Sequence, residues 1–317
     1  MHNKLTTLFF IFFCGYATNI KAQTNDDAKT QYRTTNKAFN DIYTQNLKAA
    51  TFGNEYGGPN KTLLTSDLTA NFVLVNTPKL PFFVVAAPEI NIRLFFEKGS
   101  PVKSPSYTPG LAIYFRVNSD AYHSRFFSVA YNHHSNGIEG PTFYNTGVLN
   151  VDSGKFTTNF YTLLFHAGTR IDKDDLIINS YISGGAELHA GLIGEGSAAG
   201  LDGKYGWVRA KGSWLYSLAK RYDNDIDPNK KEFHDWMRMQ LDLQYIVDKY
   251  DGYSFGEVKK RLNTRLKYYY QLAFMQNTAV MLGGGYRGQD EYNIYFQDSY
   301  AYFTFGLSAG LSFGARK

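Results

Sequence analysis

The sequence predicts an all-β protein, an antiparallel transmembrane β-barrel of about 12 strands, preceded by a cleaved signal peptide. Two observations lead to this fold class. Aromatic residues make up 17% of the 317 residues, with 25 Tyr and 25 Phe, yet the mean hydropathy is negative at -0.35. Apolar and polar residues also alternate along most of the chain, which is typical of strands with one lipid-facing and one lumenal side.

The N-terminus carries the pattern of an export signal. Lys4 precedes a short apolar run, and small residues follow that run up to Ala22. A basic residue, a short apolar region and a small residue at the cleavage position define a signal peptide. The predicted organisation is a signal peptide over 1–22, a periplasmic or barrel-mouth segment over 23–62 and the barrel over 63–317.

The composition argues against disulfides, transmembrane helices and a nucleic-acid partner. Cys14 is the only cysteine and lies within the predicted signal, so no disulfide is expected in the mature chain. No later stretch reaches 18 consecutive apolar residues, so the sequence predicts no transmembrane helix. A net charge of +5 is too mild to predict a nucleic-acid partner.

The alternating segments have the length that a tilted strand needs to cross a bilayer. In one of them Met239, Leu241 and Leu243 share a face, and Gln240 and Asp242 lie on the other. Because unpaired strand edges are not tolerated in lipid, such strands must close into a barrel. The predicted strands lie near 66–77, 82–96, 109–118, 124–135, 156–168, 174–190, 204–220, 234–249, 262–275, 278–288 and 299–313, with one more within 48–57 or 290–297.

The stretch Tyr131–Gly137 reads Tyr-Asn-His-His-Ser-Asn-Gly and carries the chemistry. Residues two apart share a strand face, so His133 and Ser135 lie with Phe127 and Val129 on the apolar face. A nucleophilic serine needs a base to take its proton. The Cβ atoms of residues two apart lie about 6–7 Å from each other, so the two side chains can lean together. The pair predicts nucleophilic chemistry on the lipid-facing surface.

The base also needs a third group that holds its tautomer. On the next predicted strand, Asn159 shares the apolar parity of Tyr161 and lies one strand away from His133. A bare amide on an apolar face is costly without a partner, and His133 is the natural one.

These residues resemble the outer membrane phospholipase A family of Gram-negative bacteria. The catalytic strand of that family carries Tyr-Asn-His-x-Ser-Asn-Gly, and its next strand carries the catalytic Asn shortly before Tyr-Thr, as Asn159 precedes Tyr161 and Thr162 here. The likeness covers roughly residues 100 to 313 and is specific around 131–137. It implies a twelve-stranded outer-membrane barrel that hydrolyses the acyl esters of phospholipids.

The resemblance also implies roles and partners. Ser135 would be the nucleophile, His133 the base and Asn159 the residue that orients the base. Calcium bound at the interface of a homodimer would help to stabilise the oxyanion, and the backbone carbonyl of Ile138 is the positional candidate for a ligand. The implied substrate is a phospholipid of the outer membrane.

Alternatives stay open for the third catalytic residue. About a dozen extra residues separate Gly137 from Asn159 relative to the family pattern, and Tyr161 follows Asn159 by two positions rather than three. Asn145 and Thr158 are therefore rival orienters.

The remaining polar residues near the motif are expected to have no catalytic role. Glu139 is expected to be a solvated loop residue. The other histidines of this region fall on the polar parity and are expected in the lumen: His134, His166 and His189.

Two other functions compete with the phospholipase interpretation. A lipid A deacylase barrel also uses His-x-Ser-Asn, but that family is about half as long, has eight strands and uses a Glu orienter. A non-enzymatic porin or adhesin could keep the motif without activity.

Overall fold

The structure, a computed structural model, describes residues 35–36, 39–44, 49–77, 80–96, 102, 105–137, 139–150, 153–173, 175–189, 201, 203–223, 231–272, 278–289, 299–309 and 312–313. The predicted signal peptide over 1–22 lies outside these residues. The described chain consists of strands and their connections, with short helical turns such as Asn40–Thr44 and Val258–Arg261. No helix in this part of the chain is long and apolar enough to cross a bilayer.

The strands form one sheet that closes on itself. They are β1 (Ala50–Tyr56), β2 (Thr62–Thr69), β3 (Asn71–Asn76), β4 (Phe82–Ala86), β5 (Glu89–Phe95), β6 (Ser106–Thr108), β7 (Gly110–Arg116), β8 (Arg125–Ser135), β9 (Thr157–Lys173), β10 (Leu176–His189), β11 (Val208–Asp223), β12 (Lys231–Ile246), β13 (Leu262–Tyr270), β14 (Thr278–Arg287), β15 (Tyr300–Ala309) and β16 (Ser312–Phe313).

The barrel contains twelve antiparallel strands, which confirms the predicted fold class. The segments β2 and β3, β4 and β5, and β6 and β7 are consecutive pieces of single barrel strands, because each pair meets the same neighbouring strands. Pairing of β1 with β15 closes the ring. The two-residue β16 adds to β3 in parallel.

The first barrel strand starts at Ala50, ahead of the predicted barrel boundary at residue 63. Of the two places that the sequence left open for a further strand, 48–57 contains β1, and 290–297 lies outside the described residues. The other predicted strands lie within a few residues of their observed bounds. These strands were predictable because apolar and polar residues alternate along most of their length.

Two of the three interruptions in the strands coincide with prolines, and the third, between β2 and β3, lies at Ala70. Pro88 separates β4 from β5, and Pro109 separates β6 from β7. Proline has no N–H to donate, so a continuous ladder is not available at these positions. The wall stays bonded all the same: the N–H of Ala87 donates to the carbonyl of Gly110 at 3.0 Å, and the N–H of His133 donates to the carbonyl of Pro109 at 3.0 Å.

The two faces of the wall differ as the alternation predicts. The exterior exposes large apolar side chains such as Phe52, Leu282 and Phe305. The lumen holds ion pairs between strands. These pairs join Asp67 to Lys267 at 2.9 Å, Glu55 to Arg287 at 2.8 Å, Asp242 to Arg265 at 3.1 Å and Glu187 to Lys211 at 2.7 Å. An apolar exterior around a polar interior is the arrangement of an outer-membrane barrel, and it confirms the predicted location.

An aromatic cluster fills part of the lumen. Phe39 and Tyr43 enter the barrel from the N-terminal side and are 1% and 0% exposed. The ring of Phe39 stacks on Phe126 at 4.0 Å, and the hydroxyl of Tyr43 donates to Ser183 Oγ at 3.0 Å. Part of the segment that the sequence placed in the periplasm or at the mouth therefore lies inside the barrel.

Loop lengths orient the barrel in the membrane. The connections 77–81, 117–124 and 174–175 at one end are short, whereas 136–156 and 247–261 at the other end are long. Outer-membrane barrels have short periplasmic turns and longer extracellular loops. The end of β8 that carries Ser135 is therefore the extracellular end.

Because the outer face of the barrel contacts lipid, a charged residue placed there should lower the free energy of unfolding. Phe305→Arg, in the middle of β15, should lower the free energy of unfolding in lipid vesicles by about 2–4 kcal/mol, because the guanidinium would face the hydrocarbon. Tyr122→Arg is the matched control, since this exposed residue lies in the loop 117–124. Denaturant unfolding followed by tryptophan fluorescence measures both variants. An equal loss in the two variants would contradict the assignment of the face.

Candidate active site

The register between β8 and β9 brings two of the predicted residues together. The two strands pair without a break from Arg125 opposite Ala167 to Ser135 opposite Thr157, so His133 lies directly opposite Asn159. His133 Nδ1 donates to Asn159 Oδ1 at 2.8 Å. An amide oxygen only accepts hydrogen bonds, so this bond places the ring proton on Nδ1 and leaves Nε2 as the acceptor. This is the tautomer that a general base requires.

The side chains lie on the face that the parity predicts. Along β8 the even-numbered neighbours Asn132 and His134 are buried in the lumen, whereas His133 and Ser135 are half-buried and point outward. Asn159 also has outward parity but is only 4% exposed. Its bond to His133 is therefore shielded from water, which strengthens the bond electrostatically.

Ser135 ends β8 between two partner strands, opposite Tyr107 of β6 and Thr157 of β9. In the described part of the chain no hydrogen bond joins Ser135 Oγ to the ring of His133. The strand spacing of about 6–7 Å between their Cβ atoms leaves room for a rotamer change to form it. Catalytic hydrogen bonds are often long until substrate is bound.

Tyrosines surround this pair on the outward face. Tyr107 pairs with Ser135, and the rings of Tyr131 and Tyr161 lie 5.2 Å apart one step further down the same two strands as His133 and Asn159. Tyrosine suits a surface with an apolar and a polar side, as at the membrane interface. The sequence did not predict Tyr107 as a neighbour of Ser135, because β6 has only three residues and is too short to show an alternating pattern.

The last residues of the motif shape the turn after Ser135. Gly137 has φ +68, and a Cβ there would lie 3.2 Å from the ring of Tyr107. Asn136 is buried and clamps the start of β9, because its amide donates to the carbonyl of Gly154 at 2.7 Å and its side-chain oxygen accepts from the N–H of Phe156 at 3.0 Å.

The extra residues after the motif fold into a compact hairpin that leaves the register intact. Phe143 bridges to Leu149, and the buried Asn150 holds the carbonyl of Pro141 at 3.0 Å. Since Asn136 already ties the loop at its base, the insertion extends outward and does not shift Asn159.

The rival orienters lie elsewhere. Asn145 is exposed in the turn of this hairpin. Thr158 faces the lumen, is fully buried and shares a hydrogen bond of 2.8 Å with His189 Nδ1. Among the three candidates for the orienting residue, Asn159 alone is bonded to His133.

The lumenal histidines form hydrogen bonds of their own. His134 Nε2 lies 2.6 Å from Ser106 Oγ, and His166 Nε2 lies 2.8 Å from Ser128 Oγ. These contacts agree with the predicted lumenal position of both rings.

A network that the sequence did not reveal lies on the lumenal face of β9, opposite the side chain of Asn159. His189 Nε2 donates to Glu187 Oε1 at 2.9 Å, and the His189 ring lies 4.9 Å from that of Phe160. His189 thus contacts both neighbours of Asn159, Thr158 and Phe160. The spacing of Glu187 and His189 on one strand face was visible, but their partners on β9 depend on a cross-strand register.

The described residues around Ser135 contain no cluster of carboxylates for calcium. Calcium takes six to eight oxygen ligands, and the described residues contain no group of three or more His, Cys, Asp or Glu side chains that could hold a metal. Glu139 is exposed in the loop. The carbonyl of Gly154 and the amide oxygen of Asn136 already accept hydrogen bonds. Ile138, the proposed ligand, lies outside the described residues.

Known structures share this fold. The chain is similar to the outer membrane phospholipase A of Escherichia coli, with TM-score 0.51 and 14% identity, and to the calcium-bound outer membrane phospholipase dimer of Salmonella typhi, with TM-score 0.50 and 12% identity. Each comparison covers 83% of this chain and 90% of the other. A NanC porin matches with TM-score 0.42 and 11% identity, over 83% of this chain and 100% of the porin. No family model and no curated protein sequence matches the chain.

The His133–Asn159 bond predicts a defined tautomer. Nitrogen NMR of His133 should show a protonated Nδ1 and an unprotonated Nε2 in the wild type. Asn159→Leu should shift the ring toward the Nε2-protonated form, because the acceptor is gone. Thr158→Val, next to Asn159 but facing the lumen, should leave the His133 signals unchanged. A change with Thr158→Val alone would move the orienting role to Thr158.

Proposed function

We propose that this protein is a serine esterase that hydrolyses the acyl esters of phospholipids at the outer surface of its barrel. The observation that carries the proposal is the outward-facing His133, held by Asn159 beside Ser135 on a surface that contacts lipid. A polar pair with only a structural role would more easily have been buried in the lumen, where the other histidines of this region lie.

The residues support a two-step acyl transfer. Ser135 Oγ attacks the acyl carbonyl carbon as His133 Nε2 takes its proton, and the C–O bond to the glycerol oxygen breaks as His133 returns that proton to it. Water, deprotonated by the same nitrogen, then attacks the acyl-serine. The bond from the acyl carbon to Ser135 Oγ breaks as His133 returns the proton to that oxygen, and the fatty acid is released. Asn159 holds the ring orientation throughout and stabilises the imidazolium through Nδ1–H.

The depth of the site supports a phospholipid substrate. Ser135 is the last residue of β8 at the extracellular end, where the bilayer changes from acyl chains to headgroups, and ester groups lie at that boundary. Below it the exterior is apolar, with the side chains of Leu111, Tyr131 and Phe165. A lipid beside the barrel could present its ester to Ser135 while its acyl chains stay in the membrane.

The competing functions fit less well. A lipid A deacylase would need a Glu to orient the base, and the residue opposite His133 is Asn159 in a barrel of twelve strands rather than eight. A porin needs a water-filled path, whereas Phe39 and Tyr43 fill part of this lumen.

Removing the nucleophile tests the proposal. Ser135→Ala should lower kcat on phospholipid micelles by about four orders of magnitude or more, to the background rate, because no acyl-serine can form. Ser128→Ala is the matched control: it lies on the same strand but faces the lumen beside His166, so activity should persist.

Unchanged hydrolysis in Ser135→Ala would refute the serine mechanism. Release of 3-hydroxyacyl chains from lipopolysaccharide, without phospholipid cleavage, would favour a deacylase instead.

The proposal includes calcium and a homodimer, both supported only by similarity to the Salmonella structure. When bound, calcium would supply positive charge near the developing oxyanion. Chelation by EDTA should abolish hydrolysis, and added Ca²⁺ should restore it together with the dimer in cross-linking assays. Full activity in EDTA would remove the metal from the proposal and leave the Ser135 mechanism standing.

A further inference from the structure

We propose that the extracellular loop 247–261 is a membrane anchor whose Phe255 and Val258 insert into the boundary between headgroups and acyl chains. This loop connects β12 to β13 at the same end of the barrel as Ser135. The inference depends on the barrel alone and is independent of the esterase proposal.

The loop exposes large apolar side chains. Phe255 is 64% exposed and Val258 is 49% exposed, although both lie in a segment that also carries charged residues. Exposed apolar groups that lie together, next to charged ones, mark a surface that contacts lipid or a partner.

This exposure is built into a fixed loop conformation. Arg261, itself 3% exposed, donates to four backbone carbonyls of the loop and of the end of β12. Its acceptors are Ser254 at 2.7 Å, Tyr253 at 2.6 Å, Ile246 at 2.9 Å and Asp248 at 2.7 Å. A guanidinium with four carbonyl acceptors fixes the path of the backbone. The exposure of Phe255 and Val258 is therefore a property of one defined loop conformation.

Two lipid-facing tyrosines tie the loop to the exterior of the barrel. Tyr245 of β12 donates its hydroxyl to the carbonyl of Phe255, and their rings lie 5.5 Å apart. Tyr286 of β14 donates to the carbonyl of Lys259 at 2.7 Å. Since both tyrosines have the outward parity of their strands, residues 255–259 lie on the outer side of the wall. The first part of the loop is held against the segment before β11, where the N–H of Asp251 donates to the carbonyl of Gly203.

The anchor continues a surface that already contacts lipid. Directly below the loop, the exterior of β12, β13 and β14 exposes Leu243, Leu266 and Leu282. Phe255 and Val258 extend that apolar band past the strand ends. The exposed Lys259 can keep its ammonium group at the headgroups while its alkyl chain lies along the apolar layer. This continuity identifies the occupant as lipid.

The loop after β8 provides an internal contrast. Val148 is 60% exposed at the tip of its hairpin. This hairpin is attached inward instead: Leu149 packs in a buried cluster with Phe156, and the ring of Phe156 lies 4.9 Å from the lumenal His134. Val148 therefore has an exposure similar to that of Phe255, but its hairpin is attached to the lumenal side of the wall.

A depth measurement tests the anchor. Since the predicted mature chain has no other cysteine, Phe255→Cys and Val148→Cys are each labelled with an environment-sensitive fluorophore in phosphatidylcholine nanodiscs with one barrel per disc. The label at 255 should be quenched by lipids that carry a nitroxide near the headgroup, and its iodide quenching constant should be several-fold lower than that at 148. Val258→Cys should behave like Phe255→Cys.

Equal iodide quenching at 255 and 148 would overturn the proposal, because the loop would then lie in water. Protection from iodide only in discs with two barrels, without nitroxide quenching, would also overturn it and assign the surface to a second copy of the chain.

Discussion

The pairing of β8 with β9 is the constraint on which the site depends. A shift of one residue would turn every side chain of one strand to the other face. His133 would then meet a lumenal side chain such as Thr158, and Asn159 would have no partner on the outer surface. The register is fixed at the extracellular end by Asn136, which holds the start of β9, and along the strands by an uninterrupted ladder. The extra loop residues lie between these fixed points and cannot disturb the pair.

The sequence predicted most of the fold because a membrane barrel leaves little freedom. In lipid every backbone group must be paired and every outward side chain should be apolar, so alternation reveals both the strands and their faces. The outward positions of His133 and Ser135 and the lumenal positions of His134 and His166 followed from parity alone. Strand β1 was the least certain, because Gly53 and Glu55 weaken its pattern.

The sequence left open what depends on pairing over distance. Parity favoured Asn159 as the orienting residue, but spacing kept Asn145 and Thr158 as rivals, since a loop of unknown shape separates all three from His133. The lumenal position of Phe39 and Tyr43 was missed because the segment before them is polar and unpatterned. Their spacing of four residues, which aligns two rings on a helical turn, was the one available signal. The contacts of His189 with Thr158 and Phe160 were not predicted either, because they also depend on the register between two strands.

The aromatic cluster in the lumen also constrains how the molecule is assembled. Phe39 and Tyr43 precede β1 in the chain, and Tyr43 reaches Ser183 midway along β10. The seam between β1 and β15 joins the first barrel strand to the last long one, so it can form only after nearly the whole chain has been inserted. The N-terminal aromatics must therefore occupy the interior before that seam closes, or enter afterwards through the periplasmic opening. In either case these aromatic residues, which precede the first strand, take their final place against strands from the middle of the barrel, such as β8 and β10.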